Sequence, residues 1–131
     1  MSAQAPSTRI YLVDDSPAIR ERLVEMIAAI PATEVVGMAE TAEQAVSDIL
    51  RQQPDCVVLD LRLLEGSGLD VLRRVHPDAP DIIFAVLTNH ADSQYRRLCL
   101  AAGASYFYDK STDVAQVRDL LAWLALKPRT H

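Results

Sequence analysis

The chain reads as an α/β protein: a five-stranded parallel sheet with helices packed on both faces, that is, a doubly wound (βα)5 fold. Three observations lead there. Short apolar stretches suited to strands alternate five times with segments of helical periodicity, joined by short connections. The stretch Cys56-Val57-Val58-Leu59 is apolar without alternation, the pattern of a strand covered on both faces in the middle of a parallel sheet. Finally, the strand-like stretches end abruptly in polar residues, as they do where an α/β sheet places its chemistry.

In chain order, residues 1–8 are small and polar and are expected to form a loose arm. Arg9 to Val13 is the first strand, ending at Asp14-Asp15. Ser16-Pro17 then starts a helix, with Ser as N-cap and Pro at the first helical position. Ile19, Leu23, Met26, Ile27 and Ile30 recur at helical spacing until Pro31. Val35 to Met38 is a short second strand, and Thr41 to Gln44 has the capping-box pattern ahead of a helix that shows Ala42, Val46, Ile49 and Leu50 on one face. The third strand runs to Asp60, followed by a loop to Gly68. Ser67 caps a third helix whose apolar face is Leu69, Leu72 and Val75. Asp81 to Leu87 is a fourth strand ending at Thr88, and a helix spans about 91–102 with Gly103 beyond it as a C-terminal cap. Ser105 to Asp109 is the fifth strand and leads into Lys110. Thr112 or Asp113 caps a last helix that turns Val114, Val117, Leu120, Leu121 and Leu124 inward.

Asp14, Asp15, Asp60, Thr88 and Lys110 all fall at carboxyl ends of strands, so a doubly wound sheet gathers them at one edge. Each alone is an ordinary turn residue, cap or surface lysine. Together they describe one chemistry. Three neighbouring carboxylates repel unless a cation sits among them, and carboxylate oxygens completed by water suit Mg²⁺. An ionised Asp is a nucleophile toward phosphorus. Phosphoryl transfer otherwise needs positioning and positive charge, which Lys110 supplies, beside a hydroxyl donor, Thr88.

Composition narrows the class. At 131 residues the chain is one domain, and its thirteen Lys and Arg against eighteen Asp and Glu give a net charge of -5, which argues against direct nucleic-acid binding. No apolar run approaches the roughly 20 residues needed to span a bilayer. Cys56 and Cys99 show no CxxC pairing and read as core residues of a reducing, cytoplasmic protein.

The pieces Leu12-Val13-Asp14-Asp15-Ser16, Val58-Leu59-Asp60-Leu61, Ser67-Gly68-Leu69, Leu87-Thr88 and Ala102-Gly103-Ala104 ahead of Lys110 resemble the receiver domain of bacterial two-component response regulators. The resemblance covers nearly the whole chain, 9–127, with a tail at 128–131. It implies a flavodoxin-like strand order, 2-1-3-4-5, and a domain that catalyses only its own phosphorylation and dephosphorylation. On the matching positions, Asp60 is the acceptor of a phosphoryl group from a phosphohistidine on a sensor histidine kinase or phosphotransfer protein. Asp15, Asp60 and the backbone carbonyl of Arg62 are implied as Mg²⁺ ligands, with Asp14 acting through water. Thr88 and Lys110 hold the phosphoryl oxygens. Phe107 takes the place of the aromatic switch residue that follows Thr88, or else is plain core beside Tyr106 and Tyr108. Arg62 and His90 fall at positions that, by the resemblance, tune how long the phosphoryl group survives, or else are solvated loop residues. Three departures stand out: Ser111 follows the lysine where the family often has Pro, Leu64 stands at another frequent Pro, and Asn89 stands where a small residue is common.

Two other classes share parts of this pattern. A flavin carrier needs anion-binding backbone donors after the first strand, where Asp14-Asp15 repel a phosphate. An Asp-dependent phosphohydrolase needs a second acid for the leaving group, which Asp60-Leu61-Arg62 lacks. The output is an unknown partner protein if the receiver stands alone, or a further domain if it is part of a longer DNA-binding regulator. Trp123 lies about 180° from Val114 on the last helix. That places it outward, as a partner or homodimer contact or as a residue packed on the tail.

Overall fold

The computed structural model describes residues 7–127. Residues 1–6 of the expected arm and the expected tail at 128–131 lie outside it. The elements run β1 (Thr8–Val13), α1 (Pro17–Ala28), β2 (Thr33–Ala39), α2 (Ala42–Gln52), β3 (Cys56–Leu59), α3 (Gly68–Val75), β4 (Ile83–Thr88), α4 (Ser93–Ala101), β5 (Tyr106–Asp109) and α5 (Val114–Leu126). All strand pairs are parallel and the order is β2-β1-β3-β4-β5. The expected flavodoxin-like architecture is therefore the observed one.

The sheet divides the core in two. On one face Tyr11, Val13, Val57, Leu59, Phe84, Val86 and Phe107 pack with residues of α2 and α3 and with Cys99 of α4. On the other, Ile10, Leu12, Cys56, Val58, Ala85 and Leu87 meet Leu23 and Ile27 of α1 and Val117, Leu120 and Leu121 of α5. The two lists interleave along each strand because successive side chains point to opposite faces. This is why Cys56–Leu59 is apolar throughout.

Local signals hold where the side chains close the predicted bonds. Ser16, Thr41 and Ser67 each accept from the backbone N–H three residues on and begin α1, α2 and α3. Gly103 has φ +117° just past α4, a conformation its missing Cβ allows, and the ring of His76 packs against the space a Cβ would fill.

Several boundaries differ from the sequence reading, among them β3, which ends at Leu59 rather than Asp60, and β5, which starts at Tyr106 rather than Ser105. Thr8 belongs to β1, not to an arm: its N–H donates to the carbonyl of Ala32 at 2.8 Å and it is buried. β2 is three residues longer than expected because it pairs with the full length of β1, Thr8 opposite Thr33 and Val13 opposite Ala39. β4 starts at Ile83 rather than Asp81, since Ile82 N–H turns back to Ala79 and only Ile83 joins the ladder. α4 starts at Ser93, capped by the Asp92 carboxylate. That helix buries only Cys99 and leaves Tyr95, Leu98 and Leu100 exposed.

Gly68, the first residue of α3, sits directly behind the end of β3. A Cβ there would overlap the backbone carbonyl of Asp60, and that carbonyl cannot retreat without disturbing the β3 terminus. Gly68→Ala is expected to lower stability by about 2 kcal/mol. Urea unfolding of parent and variant measures it, and an unchanged midpoint would contradict this packing.

Candidate functional site

Four strand ends meet at one edge of the sheet. Val13 pairs with Leu59, so the next residues, Asp14 and Asp60, leave β1 and β3 side by side. Asp60 N–H donates to the carbonyl of Val13 at 2.9 Å and keeps the two chains in step. Thr88 ends β4 opposite Asp109 of β5, and the N–H of Lys110 donates to the Thr88 carbonyl at 2.9 Å. The five residues singled out from the sequence are thus brought together.

At the centre lies one ammonium group. Lys110 Nζ is 2.7 Å from Asp14 Oδ2 and 2.7 Å from Asp60 Oδ2. Asp14 Oδ1 accepts from Ser16 N–H at 2.9 Å, and Asp60 Oδ1 from Leu61 N–H at 2.7 Å. Asp14 and Asp60 are 3% and 5% exposed, whereas Asp15 is half-buried at the rim. Burial raises the pKa of Asp14, against the opposing hydrogen bonds from Lys110 and Ser16. For Lys110 burial works against the charge, but the hydrogen bonds and charges of Asp14 and Asp60 outweigh it and raise its pKa above 10.5.

Oxygen atoms of Asp14, Asp15 and Asp60, one from each, lie within 4.8 Å of one another. Three hard oxygen donors at that spacing, open to water on the Asp15 side, match what Mg²⁺ takes from a protein. Thr88 is fully buried, and its Oγ1 accepts from His90 N–H at 3.1 Å, which leaves its own O–H to donate elsewhere.

Arg62 and His90 flank this centre rather than enter it. With Leu61, Gly66, Ser67, Leu69 and Tyr95 they line a hollow of about 490 Å³. The His90 and Tyr95 rings meet edge to face at 6.3 Å. Phe107 is 8% exposed and packs in the core on the α3 and α4 side, with the Arg96 guanidinium 6.0 Å from its ring. Tyr106 and Tyr108 stack on each other on the opposite face, so Phe107 is the one aromatic of the three turned toward α4.

The family model of the response regulator receiver domain matches residues 10–122. The chain belongs to that family. As a receiver it is 32% identical over 102 residues to the DNA-binding transcriptional activator DevR/DosR of Mycobacterium tuberculosis, covering 78% of this chain and 47% of that protein. It is 34% identical over 122 residues to protein-glutamate methylesterase/protein-glutamine glutaminase 2 of Vibrio vulnificus, covering 90% of this chain and 34% of that one. The receiver therefore spans about a third to a half of such relatives. Among solved structures, a LuxR-family two-component response regulator from Aurantimonas superposes with TM-score 0.84 at 30% identity, over 95% of this chain and 89% of that one. The non-phosphorylated HemR receiver domain of Leptospira biflexa gives 0.81 at 30%, over 97% and 99%. Receiver domains are phosphoacceptors that bind Mg²⁺ at an acidic pocket and work with histidine kinases or phosphotransfer proteins and output domains. Among the described residues no helix is long and apolar enough to cross a membrane.

Sequence reasoning missed the residues that brace the site. Arg20 donates to the backbone carbonyl of Asp14 at 2.7 Å and to Glu40 at 3.1 Å, tying the end of β1 to the end of β2. Tyr95 lines the hollow beside His90. Neither has a local pattern, and both show only once α1 and α4 are docked.

The unfolded chain loses the Lys110 proton before the folded one does. Its stabilisation is therefore complete below pH 10.5 and is lost as pH rises through the higher folded pKa. Lys110→Met leaves two buried carboxylates without the cation between them and is expected to cost about 3 kcal/mol at pH 7. Urea unfolding across pH measures this: the gap from the parent should narrow above pH 10.5, and a gap independent of pH would contradict it.

Proposed function

We propose that Asp60 is the phosphoacceptor of this receiver and that Asp14, Asp15, Thr88 and Lys110 form its working site. The observation that carries this reading is the pair of 2.7 Å contacts from Lys110 to Asp14 and Asp60. A cation already stands beside the nucleophile, where negative charge accumulates in phosphoryl transfer.

Asp60 attacks the phosphorus of a phosphohistidine on a sensor histidine kinase or phosphotransfer protein. The new O–P bond forms as the N–P bond breaks, and the partner's imidazole leaves with the electron pair. The Thr88 hydroxyl donates to one phosphoryl oxygen, and the Lys110 ammonium pairs with another. Asp15, Asp60 and the carbonyl of Arg62, with Asp14 through water, would hold Mg²⁺, whose charge would let three carboxylates and a phosphoryl group share the pocket. As Thr88 turns to the phosphoryl group, Phe107 reports the change to the α4 side of the molecule. The domain is thus a self-modifying switch rather than an enzyme turning over a substrate, and it acts in the cytoplasm.

Its output is a protein surface. The length of relatives such as DevR/DosR favours a second reading, a receiver portion of a longer DNA-binding regulator. Contact with DNA then belongs to another segment, since this chain carries a net charge of -5. Trp123 is 50% exposed beside Tyr106, Tyr108 and Leu120, with Lys127 Nζ 4.4 Å from its ring centre. It serves as a partner or homodimer contact, or as a residue packed on the start of the tail through Lys127.

Incubation with a small phosphodonor and Mg²⁺ followed by intact mass tests the acceptor. The parent is expected to gain one phosphoryl group and Asp60→Asn none; equal gain in both would refute the assignment. Arg62 and His90 shield the acyl phosphate from water across the hollow they line. Arg62→Ala and His90→Ala are each expected to change the release rate severalfold, on the order of 1 kcal/mol in barrier. Release at the parental rate in both would end that role.

A further inference from the structure

The connection from β5 to α5 carries a hydrogen-bond set that none of the chemistry above uses. Asp109 Oδ1 accepts from Ser111 N–H at 2.8 Å and from Ser111 Oγ at 2.6 Å, closing a turn whose central residue is Lys110. Asp109 N–H donates to Asp113 Oδ2 at 2.9 Å, and Asp113 N–H donates back to the Asp109 carbonyl at 2.8 Å. Asp113 stands at the N-cap of α5, yet its side chain caps no backbone N–H. Its other oxygen takes Thr112 Oγ1 at 3.0 Å and Gln116 Nε2 at 3.1 Å.

We propose that Asp109 and Ser111, backed by Asp113, are positioning residues that fix the backbone at Lys110 so that its ammonium meets the oxygens at Asp60. On its strand side Lys110 is held by its bond to the Thr88 carbonyl. Beyond it the sheet has ended, and the Asp109–Ser111 turn supplies the missing constraint. A long, flexible lysine stem has to deliver one charge to a point 2.7 Å from two carboxylates, and any swing of its Cα is carried to Nζ. The bonds from Ser111 also hold the Asp109 carboxyl below its usual pKa, so the acceptor of the turn stays ionised. This turn occupies the place where related receivers often have Pro after the lysine. A serine that only satisfied a surface loop would need neither a doubly bonded carboxylate nor an N-cap aspartate diverted from its helix.

The inference rests on Asp60 being the phosphoacceptor. The experiment compares the rate of phosphoryl uptake at saturating small phosphodonor and Mg²⁺ in the parent, Asp109→Ala, Asp109→Asn, Ser111→Ala and Asp60→Asn, with thermal melting alongside. Misplacing a reacting group by about 1 Å costs up to ~100-fold in rate. Removal of the acceptor in Asp109→Ala is expected to slow uptake about tenfold. Asp109→Asn, which keeps an acceptor oxygen, is expected to stay within about twofold of the parent, and Ser111→Ala to slow about threefold. A role confined to loop stability would move the melting temperature and leave the rate alone. Uptake by Asp109→Ala within twofold of the parent, or Asp109→Asn as slow as Asp109→Ala, overturns the proposal. Should Asp109→Ala fail to fold, Ser111→Ala decides: a parental rate there overturns it. Failure of the underlying reading shows separately, as no uptake by the parent or undiminished uptake by Asp60→Asn.

Discussion

One ammonium shared by two buried carboxylates sets the terms for the rest of the molecule. Removing Asp14 and Asp60 from water costs several kcal/mol for each charge, and their mutual repulsion adds to it. Lys110 offsets that cost only because its Nζ stands 2.7 Å from both. The fold satisfies this condition through strand register. β1 and β3 align Val13 with Leu59, so the residues that follow are the two acids, and β4 and β5 align Thr88 with Asp109, so the residue that follows is the lysine. A slip of one residue in either pair would turn a charged side chain toward the opposite face.

Bracing behind the strand ends keeps that register from drifting. Arg20 binds the carbonyl of Asp14 and reaches Glu40 across β2. The loop after β3 is pinned to the start of α2 by Leu64 N–H on the Glu40 carbonyl and Ala42 N–H on the Glu65 carbonyl, each at 2.9 Å. Gly68 lets α3 begin hard against Asp60. The acidic centre is thus mounted on strand ends and loops tied to their neighbours by backbone hydrogen bonds, the arrangement that preorganised electrostatics demands.

Much of this was legible in the sequence because its signals are local. Strand ends, Ser16, Thr41 and Ser67 caps and the apolar run of β3 each depend on a few neighbouring residues, and the five polar groups at the site follow from topology alone. What could not be read depends on distant partners. β2 extends to Thr33 because Thr8 pairs there, and the sequence around Thr33 says nothing of it. Arg20 looks like any exposed helical arginine until β2 is placed beside it. Thr112 or Asp113 reads as the cap of α5, and only the folded turn shows the Asp113 carboxylate spent on Asp109 instead.

The single buried residue of α4 has a consequence for how the molecule moves. An element that gives the interior only the thiol-bearing side chain of Cys99 forfeits little apolar area when it shifts, at about 25 cal/mol for each Å² exposed. Its neighbour α3, and α2 beyond it, are anchored by four buried residues each. Native-state fluctuations should therefore concentrate in α4, and amide protons along it should trade with solvent sooner than those of α2 and α3. A segment so loosely moored, adjoining Phe107 and the His90 loop, is the cheapest part of this architecture to rearrange.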